Sequence, residues 1–100
     1  GAHIVAPTVM YWALRNWLMN DAVTYGYTTT FVDTTDLAAV KGAIQPGKTK
    51  LVWLETPSNP LWTVSDIAAI SEIAHAAGAI CAVDSTVATP VFTRPLTLGA

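Results

Sequence analysis

The sequence is short of charged residues. Only 12% of its 100 residues are Asp, Glu, Lys or Arg, about half of the roughly 25% that is usual in soluble globular domains. The same chain is 52% hydrophobic and contains four tryptophans. Because a free-standing domain of this size needs more polar surface, the composition favours a piece of a larger or oligomeric protein over a small domain with one apolar interaction face.

Basic residues are too few to form a positive surface. The net charge is −2, and the five basic residues are scattered along the chain: Arg15, Lys41, Lys48, Lys50 and Arg94. A nucleic-acid interface needs a concentrated positive patch. The charge distribution therefore predicts that no nucleic acid is a partner.

Cysteine pairs, metal-ligand clusters and long apolar runs are also missing. The single cysteine, Cys81, lies in an apolar segment, which favours a core thiol in a reducing compartment over a disulfide. His3 and His75 have no cysteine or acidic residue at ligand spacing, so we predict no metal site. No apolar run approaches the roughly 18 residues that span a bilayer, and no signal-peptide pattern opens the chain. We expect a cytoplasmic protein without a membrane partner.

The chain does contain a regular alternation of strand-like and helix-like segments. Runs rich in apolar, β-branched and aromatic residues predict strands at 3–6, 27–33, 49–56 and 79–84. The segments between them carry apolar residues at helical spacing, and the third helix is predicted to have Ser65 as its N-cap and to end at Gly78. Apolar strands that alternate with helices are typical of a mostly parallel sheet with flanking helices. The sequence therefore predicts an α/β fold in the order β-α-β-α-β-α-β.

Polar residues stand at the predicted strand ends, where an open parallel sheet binds its ligands. Asp33, Glu55 and Asp84 end the second, third and fourth strands. We interpret Asp33 as a helix-capping group, because "VDTTD" leads into a helix start, while Glu55 stays open between an active-edge and a structural role. Asn59 lies in the proline-stiffened segment "ETPSNP", which suits either a positioned amide or an ordinary turn.

Asp84 requires an explanation of its own. No helix start is predicted close behind it, since "STVATPV" is β-branched and interrupted by proline. An unpaired carboxylate at the mouth of a buried strand costs on the order of several kcal/mol, and no nearby residue supplies a cation. Either Ser85, Thr86 and backbone amides satisfy this carboxylate, or its cation belongs to a ligand.

These segments resemble a known family. The stretches "VWLETPSNP" (52–60), "SDIAAISEIAHAAG" (65–78), "AVDSTVATP" (82–90) and "RPLTLGA" (94–100) are similar to the core of the pyridoxal-phosphate-dependent trans-sulfuration enzymes of Cys/Met metabolism. That family includes cystathionine γ-synthase, cystathionine lyases and methionine γ-lyase. The resemblance implies that residues 1–100 are a central fragment of the large, cofactor-binding domain of a fold-type I enzyme.

The resemblance also implies that four residues bind pyridoxal 5'-phosphate. Asp84 matches the aspartate that pairs with the protonated pyridine nitrogen, which would supply the missing cation. Asn59 matches the asparagine that hydrogen-bonds the ring oxygen of the cofactor, and Tyr11 matches the tyrosine that stacks on the pyridine face. Thr86 lies near the ring in the family. The alternative for Tyr11 is a core position in an amphipathic helix.

For the whole protein the resemblance implies a homo-oligomeric enzyme that acts on a sulfur amino acid or an activated homoserine and makes or breaks a Cγ–S or Cβ–S bond. The family's Schiff-base lysine would follow Ala100, and Lys41, Lys48 and Lys50 lie away from the binding edge. We therefore expect no catalytic residue in this chain, which would be inactive alone. Trp62 is expected to face a partner subunit or the core. The competing hypothesis is a non-catalytic α/β ligand-binding or interaction module.

Overall fold

The computed structural model describes residues 1–100 and contains one four-stranded parallel sheet. Its strands are β1 (His3–Pro7), β2 (Thr28–Val32), β3 (Thr49–Glu55) and β4 (Ile80–Asp84). They lie in the order β2-β1-β3-β4, and every neighbouring pair is parallel. The predicted α/β fold is confirmed, and the strand order is information that the sequence pattern did not contain.

Three helices connect the strands: α1 (Trp12–Thr24), α2 (Leu37–Ala43) and α3 (Ile67–Ala76). A four-residue helix, α4 (Thr89–Phe92), and a 3-10 turn at Pro95–Leu98 follow β4. The expectation that no helix starts close behind Asp84 is therefore wrong. Pro90 lies in the first turn of α4, where its missing N–H removes no helical hydrogen bond. None of the helices has both the length and the apolar character that crossing a membrane would require.

The core lies on both faces of the sheet, because successive strand residues point to opposite sides. The larger cluster lies beneath α2 and α3, with Val5, Val52 and Leu54 from the strands and Ile70 from α3. The smaller cluster lies beneath α1 and includes Ile4, Ala6, Met10, Leu18 and Ala22. The central strand β1 is buried over its whole length, whereas the edge strands β2 and β4 are only partly buried.

Cys81 occupies the larger cluster as an unpaired, buried thiol. Burial raises the pKa of this thiol, because the thiolate would lose its hydration in the core. Since the thiolate is the reactive form, Cys81 is a packing residue in this fold.

The N-cap of α3 is Asp66, so the prediction of Ser65 is wrong. The Asp66 carboxylate accepts a hydrogen bond from the Ala69 amide at 3.0 Å. Ser65 is instead buried, with its hydroxyl 2.7 Å from the hydroxyl of Thr34. Both residue types cap helices well, and the tertiary contact to Thr34 decides between them.

Asp33 does not cap α2 either. The N-cap of α2 is Asp36, whose side chain accepts from the amides of Ala38 and Ala39. Asp33 closes a local turn in which its carboxylate accepts from the amide and the hydroxyl of Thr35. These two bonds lower the pKa of Asp33 because they favour its charged form.

Candidate functional site

A cleft of about 300 Å³ opens at the carboxyl edge of the sheet. Seven residues line it: Tyr11, Glu55, Pro57, Asn59, Asp84, Thr86 and Val87. All four residues that the family resemblance implies as cofactor-binding line this cleft. They come from three separate segments, which follow β1, β3 and β4.

The strand order brings these segments together. Strands β3 and β4 are neighbours in register, so that their last residues, Glu55 and Asp84, are paired across the two strands. Strand β1 flanks β3 on the other side, which places Tyr11 near Glu55. Asp33 follows β2, at the far edge of the sheet, and does not line the cleft.

Asp84 is oriented by the turn that follows it. Its Oδ1 atom accepts hydrogen bonds from the Thr86 amide at 2.9 Å and from the Thr86 hydroxyl at 2.5 Å. Its other oxygen, Oδ2, accepts none from the protein, and the carboxylate is only half-buried. Thr86 thus holds the carboxylate in place while one oxygen remains available to a donor in the cleft.

Asn59 projects from a loop that is closed by its own hydrogen bonds. The Ser58 amide donates to the Thr63 carbonyl at 3.0 Å, the Trp62 amide donates to the Ser58 carbonyl at 2.8 Å, and the hydroxyls of Ser58 and Thr63 lie 2.6 Å apart. Ser58 is buried, whereas Asn59 next to it is exposed. Because the Asn59 carboxamide has no partner in the protein, it can bond a ligand.

Tyr11 lies immediately before α1, at the N-cap position rather than in the first helical turn. Its side chain is 45% exposed, so it is not a core tyrosine. Its ring lies 5.9 Å from that of Trp12, with a tilt of 55° between the two planes. The phenol ring is therefore available at the wall of the cleft.

Glu55 is the cleft residue whose role the sequence left open. Its side chain is buried, Oε2 accepts from the Tyr11 amide and Oε1 accepts from the Asn59 amide, each over 2.7 Å. An acid at the end of an apolar strand is the signal that drew attention to Asp84, and "LVWLET" carries the same signal. The two amide donors could not be found in this way: the Tyr11 amide is 44 residues away in the sequence, and the Asn59 amide is only four residues away but leaves no side-chain signal.

The cleft contains two carboxylates and no basic side chain. A concave surface lined by charge of one sign attracts ligands of the opposite sign. Tyr11 adds an aromatic face that favours a planar or cationic ligand, and Asn59 adds a neutral hydrogen-bonding group. The arrangement suits a planar ligand that has a cationic centre near Asp84.

A parallel sheet with flanking helices defines the chain as part of an α/β protein, and the cleft at its carboxyl edge lies where such sheets bind their ligands. Comparison with known families is more specific. The family described as Cys/Met metabolism PLP-dependent enzyme matches residues 1–100. The chain belongs to this family, whose cofactor is pyridoxal phosphate, and the predicted family is confirmed.

Individual relatives agree with this assignment. The chain is 47% identical over 102 residues to the L-methionine γ-lyase of Treponema denticola, and this match covers 100% of this chain and 25% of the relative. It is 46% identical over 100 residues to the chloroplastic cystathionine β-lyase of Arabidopsis thaliana, and this match covers 100% of this chain and 21% of the relative. The chain therefore spans about a quarter of the length of these relatives.

Solved structures show the same fold. Crystal structures of metB from Corynebacterium glutamicum and of a Lactobacillus plantarum cystathionine γ-lyase complexed with L-serine superpose with TM-scores of 0.96 and 0.91. Their sequences are 37% and 42% identical to this chain, and each match covers 100% of this chain and 26% of the solved one. The four-stranded sheet is thus a fragment of the fold-type I domain of such enzymes.

Proposed function

We propose that this chain holds the pyridine ring of pyridoxal phosphate in the cleft at the carboxyl edge of its sheet. The observation that supports this proposal best is Asp84, a fixed, half-buried carboxylate with a free oxygen in a cleft that has no basic side chain. A protonated pyridine nitrogen is a cation of suitable size and shape. Asp84 would bind this nitrogen and keep it protonated, because a nearby negative charge favours the charged form of a base.

The other cleft residues suit the remaining parts of the ring. The exposed ring of Tyr11 would stack on the pyridine face, and the free carboxamide of Asn59 would donate to the ring oxygen. Thr86 would act mainly through Asp84, whose Oδ1 atom it holds. When bound, pyridoxal phosphate supplies an electron sink for the electrons released at the substrate α-carbon.

For the whole protein we propose an enzyme that acts on a sulfur amino acid or an activated homoserine and makes or breaks a Cγ–S or Cβ–S bond. The relatives named L-methionine γ-lyase and cystathionine β-lyase support this class of reaction. No lysine lines the cleft, which supports the proposal that the Schiff-base lysine comes from outside these residues and that the chain alone is inactive. The buried free thiol of Cys81 fits a cytoplasmic location.

We further propose that the whole protein is a homo-oligomer. A second surface groove adjoins the cleft and shares Pro57 and Val87 with it. Its apolar side chains are exposed, with Trp62 at 65% and Phe92 at 85%. Such a contiguous apolar surface is typical of an interaction site, and its position supports the expectation that Trp62 faces a partner subunit.

Replacing the Asp84 carboxylate in the full-length protein tests the cofactor site. Asp84→Asn keeps the size of the side chain but removes the charge that would hold the pyridine nitrogen protonated. We expect pyridoxal phosphate to bind the apoprotein at least about 10-fold more weakly and turnover to fall by about 100-fold or more, since losing one partner of a desolvated charge pair costs about 2–5 kcal/mol. Absorbance titration and steady-state kinetics measure the two effects.

Asp21→Asn is the matched control for this experiment. Asp21 is exposed in the last turn of α1, outside the cleft, and its carboxylate makes no hydrogen bond. The control should bind and turn over like the unsubstituted protein. An Asp84→Asn protein with unchanged affinity and turnover would remove the main support for the proposed site.

A further inference from the structure

Glu55 joins two parts of the cleft wall that are otherwise not hydrogen-bonded to each other. One of its oxygens accepts from the Tyr11 amide and the other from the Asn59 amide, both at an N···O distance of 2.7 Å. Tyr11 introduces the helix after β1, and Asn59 lies in the loop after β3. The Glu55 side chain is only 5% exposed, so water competes poorly for these two bonds.

The chemistry of a carboxylate suits this bridge. It has two acceptor oxygens and no hydrogen, so it can accept from both amides at once, and its charge makes both bonds strong. A backbone amide cannot turn away without moving the chain. The side chains of Tyr11 and Asn59 are both exposed, so core packing does not hold them, and the Glu55 carboxylate is hydrogen-bonded to the backbones of both.

The position of Glu55 also explains how a buried charge is tolerated there. The Tyr11 amide stands at the amino end of α1, a helix of 13 residues. The amides at such an end carry partial positive charge and stabilise a nearby anion. Glu55 therefore needs no Lys or Arg partner, and the cleft stays free of basic side chains.

We infer that Glu55 is a positioning residue of the cofactor site. It fixes the spacing between Tyr11, which would stack on the ring, and Asn59, which would bond the ring oxygen. It acts through the backbones of these two residues and leaves contact with the pyridine nitrogen to Asp84. The inference rests on the proposed function, because the ligand that is positioned is pyridoxal phosphate.

Glu55→Gln in the full-length protein tests the inference. Glutamine has the same size but offers one acceptor oxygen and one NH2 group, so it can bond one amide and must present a donor to the other. We expect the dissociation constant of pyridoxal phosphate from the apoprotein to rise about 10-fold. The visible circular dichroism of bound cofactor, which reports how rigidly its ring is held, should weaken, while the far-ultraviolet spectrum stays unchanged.

Glu72→Gln is the matched control. It makes the same chemical change on the exposed face of α3, away from the cleft. Its affinity for pyridoxal phosphate and its visible spectrum should equal those of the unsubstituted protein. A difference between the two variants then reports the position of Glu55 and not the loss of one negative charge.

Amide hydrogen exchange in the unsubstituted apoprotein provides a measurement that needs no variant. The Tyr11 and Asn59 amides should exchange at least about 10-fold more slowly than the Trp12 amide, which makes no backbone hydrogen bond. In Glu55→Gln, at least one of the two protected amides should exchange faster. The comparison of these amides with the Trp12 amide in the unsubstituted protein remains possible even if the substituted protein folds poorly.

The outcomes separate the positioning role from the proposed function. A Glu55→Gln protein with unchanged affinity and visible spectrum overturns the positioning role and leaves the proposed function intact, even if its stability has fallen. Rapid exchange of both amides in the unsubstituted protein also overturns the positioning role and leaves the proposed function intact. If the unsubstituted protein binds no pyridoxal phosphate, the proposed function and the positioning role both fail.

Discussion

His3 shows how much one buried side chain can connect. It lies in β1 with 1% of its surface exposed, and its ring bonds the hydroxyl of Thr49 in β3 and the hydroxyl of Thr30 in β2, both at 2.8 Å. Burial lowers the pKa of His3, and the nearby positive charge of Lys48 lowers it further. The ring is therefore neutral at pH 7 and ties three strands together at the amino edge of the sheet.

This neutral ring predicts a stability that depends on pH. The unfolded chain binds a proton on His3 near the ordinary pKa of 6.5, whereas the folded chain binds it only at lower pH. The contribution of His3 is thus fully present above about pH 6.5 and is lost as the pH falls below that value. We expect the melting temperature of the full-length protein to exceed that of a His3→Gln variant, with a gap that narrows between pH 7.5 and pH 5.5.

Glutamine is a suitable replacement because it keeps a hydrogen-bonding group and cannot become charged. A gap in melting temperature that stays constant over this pH range would show that His3 does not titrate on unfolding. His75, which is exposed on α3, offers the matched control, and a His75→Gln variant should follow the pH profile of the unsubstituted protein.

At the scale of elements, α3 shows where sequence patterns succeed and where they stop. Its inward face, with Ile67, Ile70 and Ala74, is buried as the helical spacing predicts. The N-cap is Asp66 and not the predicted Ser65, because both residue types are good N-caps and only the fold shows that Ser65 bonds Thr34. Helix ends depend on such single contacts, whereas the apolar stripe depends on many residues at once.

Removing the observed cap should loosen α3. Asp66→Ala leaves the Ala69 amide in the first turn of the helix without its acceptor, at a cost of about 1 kcal/mol. We expect the amides of α3 to exchange about fivefold faster with solvent in the full-length protein, as hydrogen-exchange mass spectrometry can measure. Asp21→Ala, within α1, should leave exchange in α3 unchanged. Unchanged exchange in Asp66→Ala as well would show that packing alone holds the helix.

For the whole molecule, the low content of charged residues is accompanied by large apolar side chains on the surface. Trp12 on α1 is 71% exposed, Trp62 before α3 is 65% exposed, and Phe92 in α4 is 85% exposed. A chain of this size does not normally leave so many large apolar side chains in water. The surface is therefore suited to contact with further protein, from the same polypeptide or from a second copy.

We expect the full-length protein to have a molar mass of at least two subunits by light scattering. Trp62 lines the second surface groove, which adjoins the cleft. Trp62→Ser should therefore lower the average mass at low protein concentration by weakening an apolar contact between subunits. A monomeric full-length protein would contradict the proposed oligomer. An unchanged mass in Trp62→Ser would place the subunit contact elsewhere.

The sequence by itself determined the alternation of strands and helices, because side-chain periodicity is a local feature, and it drew Asp84 and Asn59 from the predicted strand ends. The resemblance of short motifs to a known family adds Tyr11 and Thr86 as predicted cofactor-binding residues. Only the tertiary structure decided the strand order β2-β1-β3-β4, which brings those residues to one cleft and leaves Asp33 outside it. It also decided which amides donate to the Glu55 carboxylate, those of Tyr11 and Asn59, because backbone amides donate from any residue type and their hydrogen bonds leave no pattern in the sequence.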